Sequence, residues 1–221
     1  MNANIPFTGC IGTTTGSYAQ KAVTETNALT EAQMRWNVNT MLAYGAKGIT
    51  WFTLIEPFEM ALEGSDGTTT GMDFTRVGLI GVNGEQNPIT YGAAKNINSW
   101  VATVDGILMD STSKKVLADG IEYSWLDGTY QTWDNTDGVM TLNATTSGEE
   151  SCGAIAGVFD YFGQTAYYVV NNDYNNAQNV TVKFDNASDL TIYHGSDVTN
   201  ETVTTKKFNL AAGEAVLIIK K

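Results

Sequence analysis

Acid–base or nucleophilic chemistry has few carriers in this chain. His194 is the single histidine, so a Ser-His-Asp triad or a histidine-based zinc site has almost no material. Cys10 and Cys152 are the two cysteines, and neither has metal-ligand spacing around it. They read as two buried thiols rather than a disulfide, because an expected domain boundary lies between them. Cys10 could serve as a nucleophile only with a base nearby, and no histidine lies near it in sequence. Carboxylates, tyrosines and lysines remain.

Glu56 stands out among the carboxylates. It follows the apolar run Gly48–Ile55 and precedes Pro57, which places it at the C-terminal end of an expected strand. Trp51 and Phe52 lie in that run on opposite faces. Each ring either packs in a core or offers a flat apolar surface to a ligand such as a sugar. Glu59, Glu63, Asp66 and Asp73 follow in a long loop and read first as solvated charge, second as the rim of a site. Tyr123, Trp125, Tyr130 and Trp133 form an aromatic-rich stretch. It reads first as one face of a β core and second as a sugar-binding platform.

The elements that must position these residues change character near residue 105. Ile5–Ile11 is a short apolar run and reads as a strand. A Thr- and Gly-rich loop follows, from Gly12 to Asn27. Thr30 with Gln33 three residues later forms a capping-box pattern. Met34, Val38, Met41, Leu42 and Gly45 then recur at helical spacing. Gly48–Ile55 is apolar on both faces, as in a parallel strand covered on each side. A loop of about thirty residues comes next, and loops of that length are usually functional. Asn87-Pro88 opens a second helix, with Ala93, Ile97, Trp100, Val101 and Val104 as its core face. Beyond Gly106, short runs such as Thr165–Asn171, Asn179–Phe184 and Ala215–Ile219 alternate with Asn-, Asp- and Gly-rich turns. Such spacing points to an antiparallel sandwich.

The bulk properties exclude some classes. The chain has 221 residues, 43% of them hydrophobic, and a formal net charge of −12. That charge repels phosphate backbones, which excludes nucleic acid as the expected partner. No stretch reaches 18 consecutive apolar residues, so no membrane span is expected. Met1–Pro6 lacks the basic start and apolar stretch of a signal peptide.

Met41-Leu42-Ala43-Tyr44-Gly45-Ala46-Lys47-Gly48-Ile49-Thr50-Trp51-Phe52-Thr53 resembles a stretch of β-galactosidase-like glycoside hydrolases. There a helix ending in such a turn runs into the eighth strand of a (β/α)8 barrel. Gly78–Glu85, Tyr91 and Lys95–Asn98 are similar to the loop and final helix that follow. Ala166–Asn172 and Ala212–Leu217 resemble the β-sandwich beyond the barrel. The resemblance implies that residues 1–105 are the last two strand–helix units of a barrel and that 106–221 are an antiparallel β-sandwich. It implies a carbohydrate substrate, an upstream barrel segment as partner, and no cofactor or metal. Glu56 would accept a sugar hydroxyl, and Trp51 or Phe52 would face the barrel mouth.

Glycosidases of this kind use two flanking carboxylates. The resemblance places the nucleophile at the end of the seventh strand, which corresponds to Ile5–Ile11. Pro6–Gly12 contains no Asp or Glu. This departs from the family pattern, and no catalytic residue is carried over. Three readings follow: a hydrolase-like fragment that is not a complete catalyst, a non-catalytic carbohydrate-binding or scaffold protein, or an unrelated α/β-plus-β protein.

Overall fold

The computed structural model describes residues 7–13, 28–55, 60–63, 69–73, 78–81, 83–119, 138–145 and 153–221. The chain begins with β1 (Thr8–Gly12), helix α1 (Glu31–Ala43) and β2 (Gly48–Phe52). β1 and β2 pair in parallel, Ile11 opposite Trp51 and Gly12 opposite Phe52. α1 starts as its sequence requires. Thr30 Oγ1 accepts the Gln33 N–H at 3.2 Å, and Gln33 Oε1 accepts the Thr30 N–H at 2.9 Å. β3 (Met60–Glu63) and β4 (Thr69–Asp73) form a separate antiparallel hairpin.

Segment 78–81 lies beside the end of β2. Leu79 N–H donates to Thr53 O, and Ile80 N–H donates to Leu54 O. Just ahead of the second helix, α2 (Thr90–Asp110), Asn87 Oδ1 accepts the N–H groups of Ile89 and Thr90 and so fixes the turn that enters it. The expected apolar face of α2 is present. It continues through Ile107 and Leu108, so the helix outruns the stretch that periodicity assigned to it.

Seven strands follow: β5 (Thr112–Asp119), β6 (Val139–Thr145), β7 (Ala154–Tyr161), β8 (Gln164–Asn171), β9 (Gln178–His194), β10 (Asp197–Leu210) and β11 (Ala215–Lys220). They make one antiparallel sheet in the order β10-β9-β11-β8-β7-β5, with β6 also pairing to β9. β9 serves two neighbours. Its first half pairs with β6 and its second half with β11, while β10 runs along nearly all of it.

Alternation divides the central strands between two cores. Tyr168, Val170, Leu217 and Ile219 face α1 and α2, and Ile155 and Phe159 join them from β7. Tyr167, Val169, Val216 and Ile218 face the other way, against Val180, Val182 and Phe184 of β9 and Leu142 of β6. Both faces of β8 and β11 are therefore covered, which is why their sequences are nearly continuous apolar runs.

The partial (β/α)8 barrel is contradicted. Among the described residues there are two helices against eleven strands, and one parallel pair beside a large antiparallel sheet. The physical reason is where the helices spend their apolar stripes. Met34, Val38, Leu42, Ile97, Val104 and Leu108 share one buried cluster with side chains of β7, β8 and β11 as well as with Ile11 of β1, so the helices cover an antiparallel sheet beside the parallel pair and not a ring of parallel strands. α2 also leads straight into the antiparallel edge strand β5. Residue 105, the expected boundary, falls inside α2. The antiparallel character of the C-terminal half is as expected, but its layers belong to one sheet that turns back through β9 and β10.

Candidate functional site

β2 carries the sequence-predicted aromatic residues, and its two faces differ. Gly9, Ile11, Ile49 and Trp51 point to the helices, and Ile11 is fully buried among them. Thr8, Cys10, Gly12, Thr50 and Phe52 line the opposite, exposed face. Cys10 is a free, exposed cysteine, which corrects its expected burial. Cys152 lies outside the described residues.

Trp51 is half-buried and packs at the edge of the helix-side core. Its indole Nε1–H donates to Asn98 Oδ1 of α2 at 3.2 Å. That bond fixes the ring orientation and leaves the Asn98 amide N–H groups as donors at the surface. Phe52 projects from the other face and is 54% exposed. The strand is held at this end by Thr13, whose N–H and hydroxyl both donate to Phe52 O. The two aromatic candidates are thus on one strand, pointing to opposite sides. Glu56, Glu59 and Asp66 lie outside the described residues, as do Tyr123, Trp125, Tyr130 and Trp133. β3 and β4 carry Glu63 and Asp73 at their ends.

Beside Asn98, a cavity of about 270 Å³ opens between α1, β2 and α2. Leu42, Ile49, Val101 and Leu108 give it apolar walls, and Asn98 and Asp105 are its exposed polar residues on α2. Lys47 also borders it. Its ammonium donates to the carbonyls of Leu108, Met109 and Ser111. These are groups left without helical partners at the end of α2. Burial lowers the Lys47 pKa, while Asp110 works against that shift.

A second polar constellation joins the helices to the sheet. Asn39 of α1 is fully buried, and its Oδ1 accepts from Tyr168 OH at 2.7 Å and Trp100 Nε1 at 3.2 Å. Its Nδ2 donates to Gly213 O at 2.8 Å. Arg35 donates to Ala212 O through Nε and Nη2. Burial pushes the Tyr168 phenol far up, so it stays a neutral donor. The turn at 211–214 is also held by Glu214, whose Oε2 accepts the Ala211 N–H and whose Oε1 meets His194 Nε2 at 3.2 Å. These contacts are structural: each polar atom named is engaged within the fold.

Sequence reasoning missed Asn98 and Asn39. Asn98 could have been found, because Asn98, Val101, Asp105 and Leu108 fall on one stripe of a helix already assigned. Asn39 had no such signal, since a polar residue between Val38 and Thr40 is indistinguishable from a solvated one. Comparison with known protein families, with characterised proteins and with solved structures finds no match for this chain.

Proposed function

We propose that the chain recognises carbohydrate as a non-catalytic or accessory part of a glycoside-hydrolase-like protein, through the surface around the end of β2. The observation that carries this reading is the Trp51–Asn98 pair. An indole whose N–H is bonded to a surface amide is held in place beforehand, at little further entropic cost on binding. Flat aromatic faces suit the apolar face of a sugar ring, and planar amides suit its hydroxyls. Phe52 is exposed on the opposite face of the strand and lies outside this pair. The net charge of −12 suits neutral ligands. The stretch that resembles glycoside hydrolases, Met41–Thr53, contains both aromatic residues.

The test is a binding screen of the 221-residue chain against an array of neutral oligosaccharides and soluble polysaccharides. Binding to a defined set of glycans, weakened at least about tenfold in Asn98→Ala but not in Phe52→Ala on the opposite face, with unchanged melting temperature, is the expected result. Wild-type binding in Asn98→Ala, or binding to no glycan, overturns the reading.

A second reading has its own support. Phe52, Leu54 and Ile55 are each 54% exposed at the end of β2, and clustered apolar exposure also marks contact with another polypeptide. Concentration-dependent association lost in Leu54→Ser, without glycan binding, would favour it.

A further inference from the structure

The cavity beside Asn98 and the indole of Trp51 belong to one continuous surface. Ile49 and Trp51 are on the same face of β2, about 7 Å apart. Ile49 lines the cavity, and Asn98 both lines the cavity and holds the indole. The cavity walls are apolar, from Leu42, Ile49, Val101 and Leu108. A volume of about 270 Å³ exceeds the roughly 150 Å³ of an apolar cavity that holds benzene.

The polar groups narrow the chemistry. Asn98 Oδ1 faces Trp51 and accepts its indole N–H, which turns the amide N–H donors of Asn98 the other way. Asp105, on the same stripe two turns (about 10 Å) further along α2, offers a carboxylate acceptor. Lys47 points its ammonium at the α2 carbonyls, where its N–H donors are spent. A donor, an acceptor and an apolar recess suit a neutral molecule with hydroxyls at one end and a hydrocarbon body at the other.

We propose that this cavity takes the apolar substituent of a glycoside, an aryl or short alkyl group, while the sugar's hydroxyls meet Asn98 and Asp105 beside Trp51. The inference rests on the carbohydrate reading above and names the class of carbohydrate. Free sugars and methyl glycosides would use only the polar rim. Aryl glycosides would also fill the recess, and removing a phenyl ring from water is enough for a gain of about tenfold or more.

The experiment is calorimetric titration of the 221-residue chain with matched methyl and phenyl β-glucoside, β-galactoside and β-xyloside, with phenol as the sugar-free probe. For at least one sugar the phenyl glycoside binds about tenfold tighter than its methyl partner. Ala102→Trp, at an exposed position bordering the cavity, removes that difference, Ala102→Ser keeps it, and both variants keep the wild-type melting temperature. Equal affinity for phenyl and methyl partners overturns this inference and leaves the carbohydrate reading standing. An unchanged phenyl preference in Ala102→Trp places the substituent elsewhere and also overturns it. Binding of phenol without any glycoside, or of nothing at all, overturns both.

Discussion

Single side chains decide how the parts of this molecule are tied together, and the clearest titratable tie is His194 with Glu214. The hydrogen bond that His194 donates to Glu214 raises the His194 pKa, against the opposing effect of burial. For Glu214, burial works upward but is outweighed by the His194 and Ala211 hydrogen bonds and by the charges of His194 and Arg35, so its pKa is lowered. A raised histidine contributes stability that is complete below its ordinary value of 6.5 and is lost as pH rises through the folded value. A lowered glutamate contributes above its ordinary value of 4.5 and loses that contribution as pH falls through the folded value. The pair therefore stabilises most between roughly pH 4.5 and 6.5. Both side chains are partly solvated, so the effect stays under about 1 kcal/mol. Thermal melts of wild type and His194→Gln at pH 6 and pH 9 are expected to differ more at pH 6. At this scale the sequence disclosed the aromatic candidates Trp51 and Phe52 but not their engagements. Whether Trp51 is core or platform depends on Asn98, 47 residues away, and no local pattern encodes that contact.

Helices and strands were legible where their signals are local. The Thr30–Gln33 box, the Asn87-Pro88 start signal, two residues ahead of the first helical residue Thr90, and the period-3.6 stripes all sit within a few residues of what they control. The length of α2 and the strand β5 were not. Ser113-Lys114-Lys115 breaks the apolar alternation that would announce a strand, yet β5 pairs with β7 along its length. The partner surface supplies what the sequence pattern lacks. One glycine shows how closely elements approach. A Cβ on Gly157 of β7 would lie 2.1 Å from the Ala43 carbonyl at the end of α1. Backbone must shift to admit it, so Gly157→Ala is expected to cost about 1–3 kcal/mol, read as a lower midpoint in urea unfolding. An unchanged midpoint would mean that α1 does not seat on β7 as described.

The whole molecule joins its halves through one core. Side chains from α1, α2, β7, β8 and β11 pack as a single cluster, and the Asn39–Trp100–Tyr168 bonds cross the same boundary. Calorimetric unfolding is therefore expected to show one transition in which helix and sheet signals melt together. Two separated transitions would mean that the halves are independent. The barrel expectation failed at this scale. Gly48–Ile55 reads as a strand covered on both faces, and β2 is covered on one. Strand–helix alternation is shared by many α/β arrangements, and what the helices pack against is a long-range fact.

Carbohydrate recognition at the end of β2 is tested most directly by NMR of the tryptophan indole N–H groups during titration with a glycan that binds in the array screen, Trp51 being assigned with Trp51→Phe. The expected result is a saturable shift of the Trp51 Nε1–H resonance, while the Trp100 signal, whose Nε1–H is bonded to Tyr168 and Asn39, stays in place. A Trp51 resonance unmoved at saturating glycan would contradict the reading.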